Sequence, residues 1–354
     1  MTIDEALARI HVAVVIPAYQ AEATIDDVVR SVPAFVRTVV VVDDASTDRT
    51  GERVDALAAE DPRVESIRHE RNGGVGAAMR TGYRRALELG ADVVAKMDSD
   101  GQMDPDYLAR LVAPIATGAT DYTKGNRFLR PDAIHEMPKI RLAGNAALSL
   151  LTKLSSGYWH VLDPTNGYTA ASAEALRAID LDRVDDRFFF ESSMLVELGM
   201  ARAVIDDVAV PSRYRGETSH LSVTHSLVSF GPKHVSAFGR RLLYRYVLTD
   251  FSAVSLLLGL SLPLTTFGVV FGIRAWIRSA LYDTPSTAGT VMLAAFTTAG
   301  GLYCLVQAMV YDMLATPRRP LTVPRIGLVP PSEAEGGAGG PPARTNPRAP
   351  SQHR

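Results

Sequence analysis

A short acidic motif, Asp98-Ser99-Asp100, stands directly after an apolar run and is followed at once by Gly101. Two carboxylates at this spacing can converge on one point if a turn follows the strand, and Mg2+ and Mn2+ accept carboxylate oxygens as ligands. A cation held in this way neutralises charge that develops on phosphate oxygens. The motif therefore predicts a divalent cation, Mg2+ or Mn2+, on a diphosphate, although one match this short also fits a solvated acidic turn.

Other charged residues could act on a second reactant. An acceptor hydroxyl must lose a proton to a carboxylate base near the reacting carbon. An acceptor phosphate is already anionic and needs no base, and arginine holds such an anion best through bidentate contacts. A structural salt bridge is the alternative for any one arginine. The arginines that fit the phosphate role are Arg127, Arg141, Arg213 and Arg215.

The segment from residue 12 to about residue 111 must position the acidic motif, and its pattern is that of an α/β fold. Short apolar runs alternate with longer helix-like segments, as in a parallel sheet covered by helices on both faces. Ligands bind such sheets outside the carboxyl ends of the strands, so residues 17–19, 43–44 and 98–100 should converge on one crevice. A less regular, mixed sheet is expected over 121–214. We predict strands over 12–16, 38–42 and 92–97 and helices over 24–31, 72–89 and 141–154.

Helix-start and loop signals lie between these elements. Thr24 is a candidate N-cap of the first helix, and Ser46 or Thr47 of the second. The glycine-rich segment 73–76 lacks the spacing of a dinucleotide fingerprint and no Gly-Lys-Ser/Thr follows it, which excludes NAD and P-loop sites. We interpret it as close packing of a helix start beside a nucleotide. His69 is interpreted as structural, because no second histidine or cysteine lies at metal-ligand spacing.

Seven motifs carry a resemblance to a known family. In chain order they are VVIPAYQAEATI, VVVVDDASTDRT, ERNGGVGAAMRTGYRRAL, VVAKMDSDGQMDP, KGNRF, DPTNGYTA and RYRGETSH. Over about residues 12–221 the chain resembles glycosyltransferase family 2, and within it the polyprenyl-phosphate mannosyl- and glucosyltransferases. The resemblance implies a GT-A nucleotide-diphospho-sugar transferase fold, with a mostly parallel central sheet and helices on both faces. It also implies a metal-dependent hexosyltransferase.

The resemblance implies a donor site and a metal site. The donor site takes in the Pro-Ala-Tyr segment, the acids after the second strand and the first acid of the D-x-D motif. Its residues would be Pro17, Ala18, Tyr19, Glu22, Asp43, Asp44 and Asp98. The family pattern D-x-D-x-Q supplies the metal contacts, here Asp98, Asp100 and Gln102. Met103 stands where the family more often has histidine.

On the acceptor side, the resemblance places Arg127 and Arg141 near an acceptor phosphate. Arg213 and Arg215 belong to a segment that resembles the family's R-x-x-G-x-S-K motif near the donor phosphates, with His220 in place of lysine. The loop 163–168 resembles the family's loop beneath the sugar. The segment 188–191 resembles the one where other family members carry a base, so with a hydroxyl acceptor Glu191 or Asp163 would be the base. With a phosphate acceptor, the same two carboxylates would orient the sugar or help to hold an arginine.

Two long apolar runs, residues 251–273 and 284–311, contain no charged residue. Each exceeds the roughly 20 residues that cross a bilayer, so we predict two transmembrane helices. Buried core helices are the alternative, but core helices of this length usually have a polar face. Basic residues before the first run and after the second favour cytoplasmic ends for this hairpin, whereas Arg274 and Arg278 in the connection argue against that orientation.

The segment before the hairpin is amphipathic and could lie on anionic lipid. Its basic residues are Lys233, His234, Arg240, Arg241 and Arg245. The predicted organisation is a catalytic domain over 1–220, this interfacial segment over 221–249, two transmembrane helices over 250–315 and a disordered cytoplasmic tail over 316–354.

Charge and composition narrow the class of protein. The net charge of -2 argues against a nucleic-acid binder. The single cysteine, Cys304, excludes an intramolecular disulfide, and the first ten residues lack the features of a secretory signal. We expect a multi-pass protein of the cell membrane with its catalytic domain in the cytoplasm.

The leading hypothesis is an inverting transfer of a hexose from GDP-mannose or UDP-glucose to a polyprenyl phosphate at the cytoplasmic membrane face. The alternative is a membrane-anchored transferase that adds a sugar to a hydroxyl of a cell-envelope glycan or glycolipid. A non-catalytic scaffold and a nucleotidyltransferase are weaker hypotheses. The expected partners are a nucleotide sugar, a lipid phosphate and the membrane; a homo-oligomer is one option that the sequence leaves open.

Overall fold

The structure is a computed structural model that describes residues 2–127, 139–163, 166–210 and 223–321, without the side chains of 139–143 and 223–228. Within these residues seven strands form one sheet in the order β3-β2-β1-β4-β6-β5-β7. The strands are β1 Val12–Ala18, β2 Val36–Asp43, β3 Val64–Arg68, β4 Val93–Lys96, β5 Tyr122–Asn126, β6 Thr169–Ser172 and β7 Ile205–Ala209.

One strand runs against the others. β6 pairs antiparallel with β4 and β5, whereas the remaining pairs are parallel. Six carboxyl ends and the amino end of β6 therefore share one edge of the sheet. This edge carries the ends of β1, β2, β4 and β5, where the sequence predicts a crevice.

Helices cover both faces of the sheet, and each strand supplies side chains to both. Val12, Val14 and Ile16 pack on one face, and Ala13 and Val15 pack on the other, as the alternation of a strand requires. The helices are α1 Ile3–Ala8, α2 Ile25–Ser31, α3 Thr50–Glu60, α4 Val75–Glu88, α5 Leu108–Ala116, α6 Lys139–Ser156, α7 Ala173–Ala178, α8 Phe190–Ala201, α9 Val223–Leu243, α10 Ala253–Tyr282 and α11 Ala288–Leu314. The predicted α/β architecture is confirmed.

The first strand was predicted to stop at residue 16, before Pro17, and this was wrong, because β1 continues to Ala18. Pro17 lacks an N–H group, but it lies on the side of β1 that faces β4, and the register with β4 stops at Val15 opposite Lys96. No ladder hydrogen bond is lost there, so proline is tolerated. β3 and the short helix α1 carried no clear signal in the sequence.

The predicted helix caps also differ. Thr24 occupies the N-cap position of α2, but its hydroxyl donates to the backbone carbonyl of Ser99 instead of capping the helix (2.6 Å). Ser46 and Thr47 cap no helix, because α3 begins at Thr50 with Arg49 as its N-cap. Both hydroxyls instead accept hydrogen bonds from Gln20, one from its backbone and one from its side chain.

The two C-terminal apolar helices are candidate membrane spans. α10 has 30 residues and α11 has 27, and most of their side chains face outward from the protein. A rise of about 1.5 Å per residue makes both helices longer than the roughly 30 Å of a bilayer core. They pack closely: a Cβ atom on Gly268 would lie 2.5 Å from the backbone nitrogen of Thr298, and one on Gly301 would lie 2.5 Å from that of Thr265.

The basic residues before the hairpin face protein groups, contrary to the expectation that they contact anionic lipid. α9 packs against α6 and α8. Lys233 pairs with Asp185, and Arg240 pairs with Glu197. His234 is buried against Ser155, and burial lowers its pKa to about 4, so it carries no charge at neutral pH. Arg241 is fully buried in an ion pair with Asp312 of α11.

Two predictions on the C-terminal region stay predictions. The boundaries of the four segments are not tested by these elements, although α10 and α11 lie within the range given for the transmembrane helices. Most of the tail, from residue 322, lies outside the described residues.

Candidate active site

Asp98 lies just beyond β4, at the carboxyl edge of the sheet, with its side chain one third exposed. Its Oδ1 atom is 2.6 Å from Nζ of Lys96, and its backbone N–H donates to Sδ of Met103 (3.2 Å). The turn that follows needs a left-handed residue, which Gly101 supplies with φ of +70°. The acidic motif is therefore held by a buried cation on one side and by a tight turn on the other.

Asp100 and Gln102 lie on this turn. Oδ1 of Asp100 accepts a hydrogen bond from the backbone N–H of Gln102 (2.9 Å). No three His, Cys, Asp or Glu side chains cluster as a metal-binding group within the described part of the chain. A donor set of two carboxylates and an amide nevertheless fits Mg2+ or Mn2+, since such ions in phosphate-transfer sites take one or two carboxylates and complete their shell with phosphate and water.

Lys96 is a site residue that the sequence interpretation missed. Its side chain is 1% exposed, and Nζ lies 2.6 Å from Oδ1 of Asp98 and 3.3 Å from Oε1 of Glu191. Burial lowers the pKa of this lysine, but the two carboxylates raise it by more, so it is charged at neutral pH. The signal available was one charged residue at the end of an otherwise apolar strand.

Glu191 lies in the first turn of α8, and Lys96 fixes it in place. The backbone of Gly167 packs directly over the other contact of this lysine, the ion pair of Lys96 with Asp98. A Cβ atom there would lie 2.4 Å from Nζ of Lys96 and 2.9 Å from Oδ2 of Asp98. Only glycine can therefore occupy this position of the loop without displacing the lysine.

Arg127 and Asp163, predicted from separate motifs, form one unit. Nε and Nη2 of Arg127 donate to the two carboxylate oxygens of Asp163, at 2.8 Å and 3.0 Å. The carboxylate is 1% exposed and the guanidinium 26% exposed. This bidentate contact fixes the plane of the arginine at the carboxyl end of β5. Arg141 lies in α6, but its side chain is outside the described residues.

A second buried lysine, Lys124 of β5, supports the loop that carries Asp163. Its Nζ donates to the backbone carbonyl of Asn166, and the side chain is completely buried. Burial lowers its pKa to about 8, although the nearby carboxylates of Glu191, Asp163 and Asp207 raise it. Lys96 and Lys124 both stand opposite Thr169 of β6 in the sheet register.

Asp44 organises the start of α4. Its Oδ1 atom accepts from the backbone N–H of Gly73 (2.9 Å) and contacts Nδ1 of His69 (2.7 Å), and Oδ2 accepts from Gly74 (2.7 Å). The structural interpretation of His69 agrees with these contacts, since its other nitrogen meets Thr81 (3.0 Å). Asp43 is also buried and lies 3.0 Å from Nε of Arg68.

The glycine-rich helix start is closed by protein. The backbone N–H groups of Gly76 and Ala77 both donate to the carbonyl of Asp186 (2.8 Å and 3.2 Å). A Cβ atom on Gly76 would lie 1.9 Å from the carbonyl oxygen of Asp185. The segment therefore serves close packing, as predicted, and the amides of Gly76 and Ala77 are used within the protein rather than offered to a phosphate.

The remaining donor-site predictions fall at the ends of β1 and β2. Pro17 and Ala18 complete β1, and Tyr19 beyond them is 52% exposed. Oε2 of Glu22 accepts from the backbone N–H of Arg49 (2.9 Å). Arg213 and Arg215 lie outside the described residues. The described donor-site residues thus lie at one edge of the sheet, at the ends of β1, β2 and β4. Their roles in binding and catalysis stay predictions.

This arrangement defines an α/β protein of the GT-A type, with an acidic motif at the carboxyl edge of its sheet and candidate membrane spans at its C-terminus. Residues 13–180 match the family described as Glycosyl transferase family 2. The chain belongs to this family, because a relative of at least 30% identity is also matched over most of its length.

That relative is a UDP-N-acetylglucosamine–dolichyl-phosphate N-acetylglucosaminyltransferase of Methanococcus voltae, 32% identical over 61% of this chain and 90% of the relative. An undecaprenyl-phosphate mannosyltransferase of Micrococcus luteus is 39% identical over 42% of this chain and 60% of its own length. Among solved structures, glucosyl-3-phosphoglycerate synthase from Mycobacterium tuberculosis, in complex with Mn2+ and UDP-glucose, is similar. It shows 26% identity and a TM-score of 0.50 over 68% of this chain and 84% of that one.

Proposed function

We propose that this protein transfers a hexose from a nucleotide sugar, GDP-mannose or UDP-glucose, to the phosphate of a polyprenyl lipid. The reaction would invert the anomeric carbon, and the catalytic domain would work at the cytoplasmic face of the membrane. Two relatives named as polyprenyl-phosphate or dolichyl-phosphate sugar transferases support this acceptor class. The two candidate membrane spans support a lipid acceptor.

The observation that carries the proposal is that both candidate bases are already paired with cations. Asp163 is buried and holds Arg127 in a bidentate contact, and Glu191 faces the buried ammonium group of Lys96. A hydroxyl acceptor would need one of these carboxylates to accept its proton. A phosphate acceptor needs no such proton transfer, so the paired carboxylates favour it.

On the acceptor side, Arg127 would attract and orient the phosphate. Asp163 fixes the guanidinium plane in advance, so less conformational entropy is lost when an anion binds. Arg141 is proposed for the same anion from the neighbouring helix α6. Their shared task is to hold the attacking oxygen in line with the anomeric carbon.

On the donor side, Asp98, Asp100 and Gln102 would hold the divalent cation. Such a cation, when bound, neutralises the charge that builds on the departing diphosphate. The Mn2+ in the similar solved structure supports a divalent ion. The ends of β1 and β2, from Pro17 to Glu22 and at Asp43 and Asp44, would enclose the nucleoside, and Arg213 and Arg215 would contact the donor phosphates.

The test is a transfer assay with the full-length protein in lipid nanodiscs. Labelled GDP-mannose, UDP-glucose and UDP-N-acetylglucosamine are each offered with a short polyprenyl phosphate or with the matching polyprenol, which presents a hydroxyl instead. We expect a glycolipid that mild acid cleaves, formed from the phosphate alone. Product from the polyprenol only, or from an added glycan only, would instead support the hydroxyl-transferring alternative.

The metal assignment has its own test. Replacing Asp98 and Asp100 together by alanine should abolish transfer with every donor, while circular dichroism and membrane insertion stay as in the wild type. Unchanged transfer by this variant would contradict the metal role of the motif.

A further inference from the structure

Lys96 places a positive charge directly against the proposed cation ligand. Its ammonium group contacts Oδ1 of Asp98 at 2.6 Å and Oε1 of Glu191 at 3.3 Å, from a strand position that is 1% exposed. Gly167 covers the pair so closely that a Cβ atom would lie 2.4 Å from Nζ. The side chain of Lys96 is therefore fixed and would stay beside Asp98 when a divalent cation binds there.

The two oxygens of Asp98 are therefore unequal. Oδ1 is bound to Lys96, while no hydrogen-bond donor among the described residues contacts Oδ2. The side chain remains one third exposed, so the carboxylate is accessible to solvent. A divalent cation that binds Asp98 would lie a few ångströms from the ammonium group of Lys96, so two cations would contact one carboxylate.

We propose that Lys96 is a positioning residue that fixes Asp98 and makes cation binding depend on the nucleotide. This inference rests on the proposed function, which takes Asp98 as a cation ligand. Repulsion from Lys96 disfavours a divalent cation in the free protein. A nucleoside diphosphate adds negative charge that offsets this repulsion, so the cation is retained together with the nucleotide.

The test measures Mn2+ binding to the full-length protein in detergent, from the electron paramagnetic resonance signal of free Mn2+. Titrations are run without nucleotide, with UDP and with GDP, each alongside a nucleotide-only blank. For the wild type we expect tighter binding with one of the diphosphates than without. In Lys96→Met, nucleotide-free binding should tighten by about tenfold or more, as expected for removal of a like charge at this range. The ratio of the Mn2+ dissociation constant without nucleotide to that with nucleotide should fall accordingly.

Lys124→Met is the matched control. Lys124 is equally buried, stands opposite the same residue of β6 and donates to a backbone carbonyl rather than to Asp98. Its loss should leave the nucleotide dependence of Mn2+ binding within about twofold of the wild type. Adding Asp98→Asn to Lys96→Met should remove the gain, because Lys96 acts through that carboxylate.

A purely structural lysine would give a different result: lower thermal stability in Lys96→Met with an unchanged ratio of dissociation constants, which would overturn the inference. If Lys96→Met does not fold, Lys96→Met/Glu191→Gln removes one charge of each sign and should show the same reduced ratio. If the wild type binds no Mn2+ with either diphosphate, the metal role in the proposed function fails as well. Nucleotide-dependent binding in the wild type with an unchanged ratio in the variants would refute only the role of Lys96.

Discussion

At the scale of single residues, the candidate site is organised by buried charges held in pairs. Arg127 is fixed by Asp163, and Lys96 joins Asp98 to Glu191. Removing one member of such a pair leaves the other charge buried without a partner. The free energy lost in this way exceeds the net stabilisation that the intact pair provides. Function and stability are therefore coupled at these positions, and variants must be chosen to separate them.

Arg127→Lys tests the acceptor-side assignment without a change of charge. Lysine keeps the positive charge but cannot form the bidentate contact with Asp163. We expect KM for the polyprenyl phosphate to rise by about tenfold, with KM for the nucleotide sugar changed less than about twofold. Arg30→Lys, in the exposed pair with Glu60, is the control and should match the wild type. Equal rises in both KM values for Arg127→Lys would argue against an acceptor role.

Lys124 gives a prediction about pH. Burial lowers its folded-state pKa from the usual 10.5 of a lysine to about 8, so between these pH values the unfolded chain binds more protons than the folded one. The free energy of unfolding should therefore rise from pH 8 to pH 10, by up to about 1.4 kcal/mol per pH unit. Denaturant unfolding of the wild type and of Lys124→Met over this range isolates the contribution. A difference between the two that does not change with pH would contradict the lowered pKa.

At the scale of elements, glycine determines how closely helices and loops approach. α10 and α11 meet at Gly268 and Gly301, and α4 meets the carbonyl groups of Asp185 and Asp186 at Gly76. In an apolar solvent, close backbone packing replaces the hydrophobic effect as a source of helix association. The packing of α10 against α11 should therefore be sensitive to single methyl groups at defined positions.

Gly301→Ala tests this packing. The added Cβ atom would lie 2.5 Å from the backbone nitrogen of Thr265, so the helices must separate locally. We expect a loss of about 1–3 kcal/mol, the usual cost of overpacking, measured by thermal unfolding in detergent micelles. Gly300→Ala is a matched control one residue away, where a Cβ atom would meet nothing within 4 Å. Equal effects at both positions would show that helix propensity, not packing, is responsible.

At the scale of the whole molecule, a buried ionic cluster joins the sheet domain to the second candidate span. Arg241 of α9 donates to both oxygens of Asp312 in α11 (2.8 Å and 3.0 Å) and to the carbonyl of Leu154 at the end of α6 (2.8 Å). Tyr246 and Trp159 also donate to Asp312. Beyond α11, the backbone N–H of Leu321 donates to the buried carboxylate of Asp121. The hairpin is thus tied to the sheet domain by polar contacts at a fixed position.

Asp312→Asn should destabilise the protein by about 3 kcal/mol, because it leaves the guanidinium of Arg241 buried without a counter-charge. The double variant Arg241→Met/Asp312→Leu should recover at least half of that loss, since no unpaired charge remains. Denaturant unfolding in micelles measures both. Arg202→Met breaks the exposed pair with Asp250 nearby and should change the free energy of unfolding by less than about 0.5 kcal/mol. If the double variant does not recover stability, the unpaired charge of Arg241 is not the cause of the loss.

The sequence by itself determined the fold class and the edge where the candidate site lies. Apolar runs of strand length and the polar residues that follow them are local patterns, and parallel strands must bring their carboxyl ends together. The acidic motif at 98–100 and the apolar runs near the C-terminus could be recognised for the same reason. Family membership was also predictable, because its motifs are contiguous in the chain.

Only the tertiary structure decided which charges meet. Lys96 and Glu191 are 95 residues apart and Arg241 and Asp312 are 71 apart, and no periodicity relates such positions. The direction of β6 brings the loop with Asp163 beside Arg127, and the packing of α9 turns its basic residues toward carboxylates instead of toward a lipid surface. Pairing of distant charges depends on burial and on strand order, which a linear sequence does not encode in any local pattern.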